Sequence, residues 1–535
     1  MPTPTDLPKE YGYIHIGNSK DLKGKDRFVY RLLETLPGFL AWLTLLLIVI
    51  VSFLAPIFTA LFIIVFDIYW LLKTIYLSLL MRSAFFKMRK NLKINWLDKL
   101  QKANPISKSL DIGWEDIYHL VILPFATEPL SIVKESFEGL KKANYPLEKM
   151  IVVLAAEERV PGSKDIVQAI EKEYGSLFFK FMATFHPDGL AGEIRGKGSN
   201  EGWAGQEAKE KIIDTLQIPY ENVIASVFDI DTIIHPDFFA CLSWHYLTAS
   251  KPLRSSYQPI PLFTNNIWEA PAFARVFAFS TTFWQMIQQS REEQLVTFSS
   301  QSIGFKPLID VGFWQRNVVS EDSRIFWQCL LRFDGDWRTI PMYFPIYMDA
   351  NVGPTLWQTV KNQYKQIRRW HYGSENNPYF LFGFWKNRRM PKRIKWHQSL
   401  IHTERTHSSP TNAIIIFLLG WLPLIAGKHF FDEALLLHNL PRITASIMNI
   451  SMVGLITSAI VSAMLLPPRP PNYGKFKWIW MTLQWILFPI NFIFFGALPA
   501  LDAQTRLMFG RYMGFWVTPK VRKSLTPKET VISSR

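Results

Sequence analysis

The feature that most constrains this chain is an apolar run from Pro37 to Leu80, in which Asp67 and Lys73 are the only charged residues. About 20 apolar residues span a bilayer, so a run of this length predicts two membrane-spanning helices that meet near Pro56. A polar leader (residues 1–36) precedes the run, whereas a cleaved secretory signal has its short apolar region close to the N-terminus. The first span is therefore expected to remain as an anchor.

A second group of apolar runs lies near the C-terminus, at residues 413–426, 443–466 and 478–501. The long stretch between the two groups contains no candidate span, which predicts a soluble domain held between membrane anchors. Pro489 interrupts the last run, and Gly496 and Pro499 lie near its end. Because proline breaks the helical hydrogen-bond ladder, this run is expected to form a re-entrant or bent hairpin. The sequence thus predicts four clear spans and a fifth doubtful one.

Charge is distributed unevenly along the chain. The 535 residues include 59 Lys and Arg against 44 Asp and Glu, a net charge of +15. The excess is concentrated in residues 82–102, 386–407 and 501–535, which all flank apolar runs. Basic residues next to spans favour the cytoplasmic side and attract anionic lipid headgroups. This distribution argues against a nucleic-acid-binding protein. It predicts that the soluble domain lies in the cytoplasm; the expected location is a bacterial inner or plasma membrane, crossed several times by the chain.

Within the soluble domain, short runs rich in Val, Ile, Leu and Phe alternate with longer amphipathic stretches over residues 118–247. Alternation of this kind is typical of βαβ units and predicts a mainly parallel sheet covered by helices. Ligands bind such sheets just beyond the C-terminal ends of the strands. We therefore expect the functional side chains to follow the apolar runs directly.

Carboxylates follow three of the predicted strands, at Glu128, at Glu157 and Glu158, and at Asp229 and Asp231. Two Asp residues separated by one position after a buried strand can provide oxygen ligands to a divalent cation, which in turn holds a diphosphate. Asp-x-Asp pairs are also common in turns and helix caps. The pair alone therefore leaves both interpretations open.

Three further clusters have chemistry suited to a nucleotide sugar. Lys197 opens an amphipathic helix, where a cation and free N–H groups suit an anion. Asp322, in the triplet Ser320-Glu321-Asp322, could act as a general base. The segment from Gln366 to Trp370 combines an amide, a guanidinium and an indole that can stack on a sugar ring. Taken singly, the three clusters are also typical of a solvated lysine, a helix cap and an amphipathic basic helix.

The order of these clusters resembles the membrane-integrated family 2 glycosyltransferases, such as cellulose and hyaluronan synthases. That family shows a strand-end acidic pair, Asp-x-Asp, Thr/Ser-Glu-Asp and Gln-x-x-Arg-Trp in this order between membrane spans. The segment from Phe515 to Lys520 is also similar to the Phe-x-Val-Thr-x-Lys gating loop of cellulose synthases. The resemblance covers about Tyr118 to Trp370. It implies a GT-A nucleotide-sugar domain, inverting chemistry and delivery of the product towards a membrane channel.

The resemblance also implies roles for the matching residues. Asp322 would deprotonate the acceptor hydroxyl, and Asp229 and Asp231 would complete the catalytic carboxylates as ligands of Mg²⁺ or Mn²⁺, with Asp231 the more direct ligand. The residues implied to bind the donor, a UDP-sugar by preference, are Glu128, Glu157, Lys197, Asp229, Arg369, Thr518 and Lys520. Those implied to bind a glycan or lipid-linked acceptor are Gln366, Trp370 and Glu321. The second strand of the family usually ends Asp-Asp-Gly-Ser, whereas here it ends Ala-Ala-Glu-Glu.

The expected fold is an α/β GT-A domain with a Rossmann-like mixed sheet, joined to an α-helical transmembrane region. The expected function is metal-dependent hexosyl transfer to a growing polysaccharide, coupled to export. The alternative is transfer of a single sugar to a lipid or other membrane-bound acceptor. The expected units are a cytoplasmic leader (1–36), two transmembrane helices (37–80), a basic interface segment (81–110), the GT-A domain (111–375), a second basic interface segment (376–411), C-terminal transmembrane helices (412–501), and the gating loop with a basic tail (502–535).

Overall fold

The computed structural model describes residues 8–107, 110, 112–426, 435–471 and 473–518. Its centre is an eight-stranded sheet with the strand order β3-β2-β1-β4-β7-β6-β8-β5. The strands are β1 (Tyr118–Pro124), β2 (Met150–Glu157), β3 (Lys180–His186), β4 (Val223–Val227), β5 (Ile233–Ile234), β6 (Ser255–Leu262), β7 (Ser302–Gly304) and β8 (Arg338–Tyr347).

The first half of the sheet is parallel and the second half is mixed. Strands β3, β2, β1 and β4 run parallel to one another, β7 is antiparallel to both β4 and β6, and β8 is parallel to β6 but antiparallel to β5. Strands β1, β2 and β4 are buried almost throughout, which explains their continuous apolar sequences. The predicted fold class, an α/β domain of the GT-A type with a helical membrane region, is confirmed.

Helices cover the sheet and continue into the membrane region. They are α1 (Gly24–Leu54), α2 (Pro56–Asn91), α3 (Trp96–Gln101), α4 (Leu130–Lys141), α5 (Ser163–Tyr174), α6 (Lys197–Ala208), α7 (Phe238–Thr248), α8 (Ala272–Gln289), α9 (Phe305–Asp310), α10 (Glu321–Arg332), α11 (Leu356–His371), α12 (Asn376–Lys386), α13 (Lys392–Phe417), α14 (Leu422–Ala426), α15 (Leu435–Leu465), α16 (Lys477–Leu483), α17 (Phe488–Phe492) and α18 (Leu498–Met508).

Two apolar cores lie on opposite faces of the sheet. Successive residues of a strand point to opposite faces, so Val121 and Val152 belong to one core and Leu120 and Ile151 to the other. The first core also contains Met81, Ala84, Phe85 and Met88 from the end of α2. Helix α2 is therefore anchored in the sheet domain without a linker.

Four helical segments are long and apolar enough to cross a membrane: Gly24–Leu54, Pro56–Asn91, Asn439–Leu465 and Lys477–Met508. A fifth candidate is the pair Lys392–Phe417 and Leu419–Ala426, whose axes differ by 46°. The predicted turn near Pro56 is confirmed, because α1 ends at Leu54 and Pro56 is the first residue of α2. Together the two helices extend beyond the apolar run, to Gly24 on one side and to Asn91 on the other.

Contacts between the helices show in which direction each one runs. Helix α1 begins at the sheet domain, where Tyr30 packs on Phe382, and α2 returns to that domain. The bent pair α13 and α14 leaves the domain again and reaches the α1–α2 turn, where Leu424 packs near Ala60. Helix α15 starts there and runs back along α2, with Gly454 against Thr74. In the described residues, the bent pair therefore runs from the sheet domain to the α1–α2 turn, alongside α1, α2 and α15.

The segment Lys477–Met508 contacts helices α8 and α11 of the sheet domain at three points along its length. Arg275 Nε donates to Gln484 Oε1 (2.7 Å), Asn491 Nδ2 donates to the carbonyl oxygen of Phe273 (2.9 Å), and Arg368 Nη1 donates to Asp502 Oδ2 (2.9 Å). Both of its ends therefore lie on the same side of the helical region.

The expectation of a hairpin at 478–501 is wrong. Pro489 follows a 3₁₀ segment (Gln484–Leu487) and Pro499 follows a π-helical segment (Ile493–Ala497), so the backbone departs from α geometry just before each proline, and the segments join into one continuous helix. The leader is held on the same side, because Tyr379 Oη donates to the carbonyl oxygen of Ile14 (2.7 Å). The leader, the sheet domain and residues 509–518 thus share one side of the helical region.

Candidate functional site

The predicted Asp-x-Asp pair lies at the C-terminal edge of the parallel strands. Asp229 Oδ2 accepts a hydrogen bond from Ser299 Oγ (2.7 Å), and Asp229 Oδ1 lies 2.9 Å from Lys197 Nζ. Asp231 is 1% exposed, and its Oδ2 accepts from the backbone N–H of Asp349 (3.3 Å). Asp349, two residues after β8, is a further carboxylate at this edge. The sequence analysis did not identify Asp349, although its position just after an apolar strand is the kind of position at which functional residues were expected.

Lys197, the first residue of α6, lies among four carboxylates. Its Nζ is 2.8 Å from Asp322 Oδ1, 2.9 Å from Asp229 Oδ1, 3.2 Å from Glu201 Oε1 and 3.7 Å from Glu321 Oε1. Burial opposes the charge on this lysine, but the carboxylates, with Asp229 first, raise the pKa of Lys197 well above its ordinary value. The structure therefore brings Lys197, Asp229 and Asp322 together around one ammonium group.

Glu201 and Glu321 form the buried wall of this cluster. Burial is the largest cause that raises the pKa of Glu201 well above its ordinary range. Burial, followed by the charge of Asp322, raises the pKa of Glu321 to about 8. Glu321 had been expected to bind the acceptor, but it is 1% exposed and points towards Lys197. Glu201 was missed, although its spacing of four residues from Lys197 places both on one helix face.

Asp322 is positioned by a network behind the start of α10. Glu375 Oε1 accepts hydrogen bonds from the backbone N–H groups of Val319 and Ser320 (2.9 Å each) and from Ser320 Oγ (2.8 Å). Gln301 Nε2 donates to the backbone carbonyl of Asp322 (3.1 Å). Glu375 belongs to none of the sequence motifs. Its contacts arise only because α11 and the turn after it pack beside α10.

Residues of the Gln-x-x-Arg-Trp segment point in three directions from α11. Trp370 lies among Phe263, Phe277 and Phe298, with ring centroids 5.9–6.2 Å away. Gln366 Oε1 accepts from Asn351 Nδ2 (3.3 Å). Arg369 lies over the ring of Phe515, 4.4 Å from its centroid. The segment thus joins an aromatic surface to the predicted gating loop.

The described part of that loop lies against the start of α6. A Cβ atom added at Gly196 would be 2.5 Å from Phe515 Cβ, so only glycine allows this contact. Thr518 is 7% exposed, and Lys365 Nζ lies 5.2 Å from the Trp516 ring centroid. Lys520 lies outside the described residues. Phe515 thus packs between the residue that precedes Lys197 and the guanidinium of Arg369.

Of the two strand-end glutamates expected at the nucleotide, Glu157 is buried in an ionic network. Its Oε2 accepts from Arg159 Nε (3.1 Å) and lies 3.6 Å from His186 Nδ1, while His186 Nε2 lies 2.8 Å from Glu193 Oε2. Burial opposes the charge on His186, but Glu157 and Glu193 raise its pKa to about 9. Glu158 is exposed, so Glu157 is the member of the pair that the fold directs inwards.

Glu128 lies in the turn after β1. Its Oε2 accepts a hydrogen bond from the backbone N–H of Ala126 (2.8 Å). The turn therefore holds the carboxylate close to the strand end, at the same edge of the sheet as Glu157 and Asp229.

The edge at Asp229 and Asp231 has a donor set that fits a divalent cation. Carboxylate oxygens are the ligands that Mg²⁺ and Mn²⁺ prefer, and Asp231 is buried beside Asp229 and Asp349. Carboxylate oxygens of Glu201, Glu321 and Asp322 also lie within 4.8 Å of one another, a spacing that could hold a metal ion. Lys197 Nζ contacts all three, however, so an ammonium charge already neutralises that second group.

No protein-family model matches the chain, and no curated protein matches it in sequence. Solved structures with a similar fold are glycosyltransferases. The mannosyltransferase PcManGT from Pyrobaculum calidifontis, in complex with GDP-Man and Mn²⁺, is 13% identical with a TM-score of 0.42 (75% of this chain, 98% of that chain). TarS from S. aureus, in complex with UDP-GlcNAc, is 11% identical with a TM-score of 0.35 (74% and 93%). GalNAc-T7, with UDP, GalNAc and Mn²⁺, is 12% identical with a TM-score of 0.34 (55% and 59%). Because these TM-scores are below 0.5, function has to be inferred from the side chains of this chain.

Proposed function

We propose that this protein is a membrane-embedded, metal-dependent inverting glycosyltransferase. It transfers a sugar from a nucleoside-diphosphate sugar, by preference a UDP-sugar, to a growing polysaccharide. The observation that supports this most directly is the position of Lys197 Nζ, which lies 2.9 Å from Asp229 and 2.8 Å from Asp322. One cation thereby links the proposed diphosphate side of the site to the proposed base.

On the donor side, Glu128 and Glu157 face the nucleotide, and Asp229 and Asp231 hold the cation. When bound, Mg²⁺ or Mn²⁺ neutralises the charge that develops on the departing diphosphate. Lys197 adds a fixed positive charge to the same region. The guanidinium of Arg369, which lies over the Phe515 ring, adds a second positive charge. Preorganised charges of this kind stabilise a leaving group without reorganisation during the reaction.

On the acceptor side, Asp322 is the general base. Its carboxylate takes the proton of the acceptor hydroxyl, the hydroxyl oxygen forms a bond to the anomeric carbon, and the bond from that carbon to the diphosphate oxygen breaks. Attack from the face opposite the diphosphate inverts the configuration. Trp370 and Gln366 orient the acceptor, with Trp370 supported by three phenylalanine rings that provide an apolar surface for a sugar.

The loop that carries Phe515 closes the site over the donor. In the structure it lies against Gly196 and Arg369, two positions that flank the proposed diphosphate region. We propose that Thr518 and Lys520 contact the donor when the loop is closed. Exclusion of water by such a loop would favour transfer over hydrolysis.

We further propose that the protein lies in a bacterial inner or plasma membrane with its catalytic domain in the cytoplasm. The basic segments 82–102 and 386–407 contribute residues to the cores of the sheet domain, and basic residues favour the cytoplasmic side. The leader and residues 509–518 lie on that side too.

A second candidate is transfer of a single sugar to a lipid-linked acceptor, with the helices as anchors only. It is favoured by the contact between α11 and the helix that ends at Met508, which places the acceptor residues beside the membrane-facing helices. In the first candidate the same position allows the polymer to pass from Trp370 into the membrane region, with addition coupled to export.

The proposal is tested with purified protein in lipid vesicles, radiolabelled UDP- and GDP-sugars, and Mg²⁺, Mn²⁺ or EDTA. We expect sugar transfer that depends on the divalent cation. A product of increasing length in water indicates a polysaccharide, whereas a product with one sugar that partitions into organic solvent indicates a lipid acceptor. Absence of transfer from every donor, with or without added acceptor, would contradict the proposed function.

A further inference from the structure

Glu201 is a fully buried acidic residue that belongs to none of the sequence motifs. It lies one helical turn after Lys197 on α6 and is 0% exposed. Its carboxylate lies 3.2 Å from Lys197 Nζ, and neither oxygen has a hydrogen-bond partner in the part of the chain that the structure describes. A carboxylate buried in this way is costly to a protein and therefore requires a specific partner.

Lys197 is the partner that explains this burial. A lysine side chain has four rotatable bonds and loses conformational entropy when it is fixed in one position. Here the ammonium lies between Asp229 and Asp322, which are contributed by separate parts of the chain. Glu201 approaches it from its own helix, on the buried side of the cluster.

The backbone also brings the two elements of this arrangement close together. A Cβ atom at Gly198 would lie 2.9 Å from Glu321 Cβ, so the starts of α6 and α10 are in direct contact. Lys197 and Asp322 occupy neighbouring positions on these two helix starts. A small change in the direction of the Lys197 side chain would therefore remove its contact with one of the two aspartates.

We propose that Glu201 is a positioning residue, which holds the ammonium of Lys197 midway between Asp229 and Asp322. This inference rests on the proposed function, in which Asp229 is on the diphosphate side and Asp322 is the base. Glu201 contacts neither the donor nor the acceptor and acts only through Lys197. With its ammonium fixed, Lys197 balances the charge of both aspartates before the sugar moves from one side to the other.

A double-mutant cycle on the donor-free protein tests the contact independently of activity. In the wild-type background, Glu201→Met removes a partner of a buried cation and lowers the Tm. In the Lys197→Met background, the same change removes a buried carboxylate that has lost its partner, and it raises the Tm. An equal shift of Tm in both backgrounds would overturn the inference. Glu207→Met with Lys211→Met is the matched control, because this ion pair has the same four-residue spacing where α6 continues into a π-helical segment (Lys209–Ile213) but is more exposed, and we expect only small shifts from it.

A second measurement distinguishes positioning from a purely structural role. Glu201→Met should lower kcat at least roughly tenfold and change the KM for the donor little, because a small misplacement of a charged group affects the transition state most. Glu201→Gln keeps an oxygen at the position that lies 3.2 Å from Lys197 Nζ and should restore most of kcat. In the Lys197→Met background, Glu201→Met should have no further effect on kcat.

These results separate the two proposals. If the wild-type protein transfers no sugar but the Tm cycle shows coupling, the proposed function fails and the anchoring of Lys197 stands. If the wild-type protein is active and Glu201→Met retains full kcat, the positioning role is wrong and the proposed function stands.

Discussion

The two sides of the candidate site are built in different ways. On the donor side, carboxylates follow the ends of parallel strands, and Asp229 lies 2.9 Å from the ammonium group of Lys197, the same group that lies 2.8 Å from the base Asp322. On the acceptor side, Trp370 lies among aromatic rings contributed by residues 263, 277 and 298. Motifs that are local in sequence therefore position the charged residues of the donor side. The acceptor surface forms only when segments distant in sequence pack together.

The largest effect is expected for Asp322→Asn, which removes the base but keeps the shape of the side chain. We expect kcat to fall by about 10²–10⁴-fold, the contribution typical of general base catalysis. Binding of the nucleoside diphosphate, measured by calorimetry, should be retained. The control is Asp336→Asn, which alters an exposed aspartate paired with Lys251. Full transfer activity in Asp322→Asn would show that another group takes the proton.

The next effect concerns the contact between the loop and the donor side. Gly196→Ala places a Cβ atom 2.5 Å from Phe515 Cβ and must displace the loop. We expect roughly a tenfold loss of kcat and more hydrolysis of the donor by water. Gly12→Ala is a suitable control, because a Cβ at Gly12 would have no heavy atom within 4 Å. Unchanged kcat and hydrolysis in Gly196→Ala would mean that the position of Phe515 does not matter.

A smaller effect is expected from the aromatic surface of the acceptor side. Trp370→Ala should raise the KM for the acceptor by about 2- to 10-fold, since aromatic contacts of this kind contribute about 0.5–1.5 kcal/mol. The affinity for the nucleoside diphosphate should not change. Trp396→Ala, at a side chain that is 76% exposed, provides the comparison. A loss of donor affinity in Trp370→Ala, with the acceptor KM unaltered, would contradict the division into two sides.

The smallest effect is a pH dependence of stability on the donor side. Glu157 and Glu193 raise the pKa of His186 to about 9 against burial. Because the folded-state pKa exceeds the value of about 6.5 in the unfolded chain, His186 stabilises the fold fully below pH 6.5 and loses this contribution as the pH rises through 9. The Tm of the wild type should therefore fall between pH 7 and 9.5 more steeply than that of His186→Gln. If the Tm of the two proteins fell equally with pH, His186 would not be the cause of the pH dependence.

Much of the donor side could be predicted from the sequence. The alternation of apolar and amphipathic segments predicted the parallel strands, and the carboxylates that follow β1, β2 and β4 lie at one edge as expected. Glu201 and Glu375 could not be identified in this way. Glu375 acts on residues of another segment, and Glu201, one turn after Lys197 on the same helix, is a single carboxylate with no distinctive sequence pattern.

The presence of long apolar helices near both ends of the chain was predicted, but the arrangement of the last one was not. Pro489 and Pro499 suggested a break, because a sequence does not reveal that 3₁₀ and π-helical segments before the prolines let the helix continue. The polar side chains of residues 477–508, such as Gln484, Asn491 and Asp502, were the available signal. All three make hydrogen bonds to the sheet domain. In a helix that spans lipid, these polar groups on one face would lack hydrogen-bond partners.

The anomeric configuration of the product tests the central claim most directly. A single displacement, with Asp322 as base on one side of the sugar and the diphosphate on the other, converts an α-linked nucleotide sugar into a β-linked product. NMR spectroscopy of the product formed by the wild-type protein from an α-linked UDP-sugar should therefore show only β-linked sugar. An α-linked product would contradict the assignment of Asp322 as the base and of Lys197 as the cation between the two reacting sides.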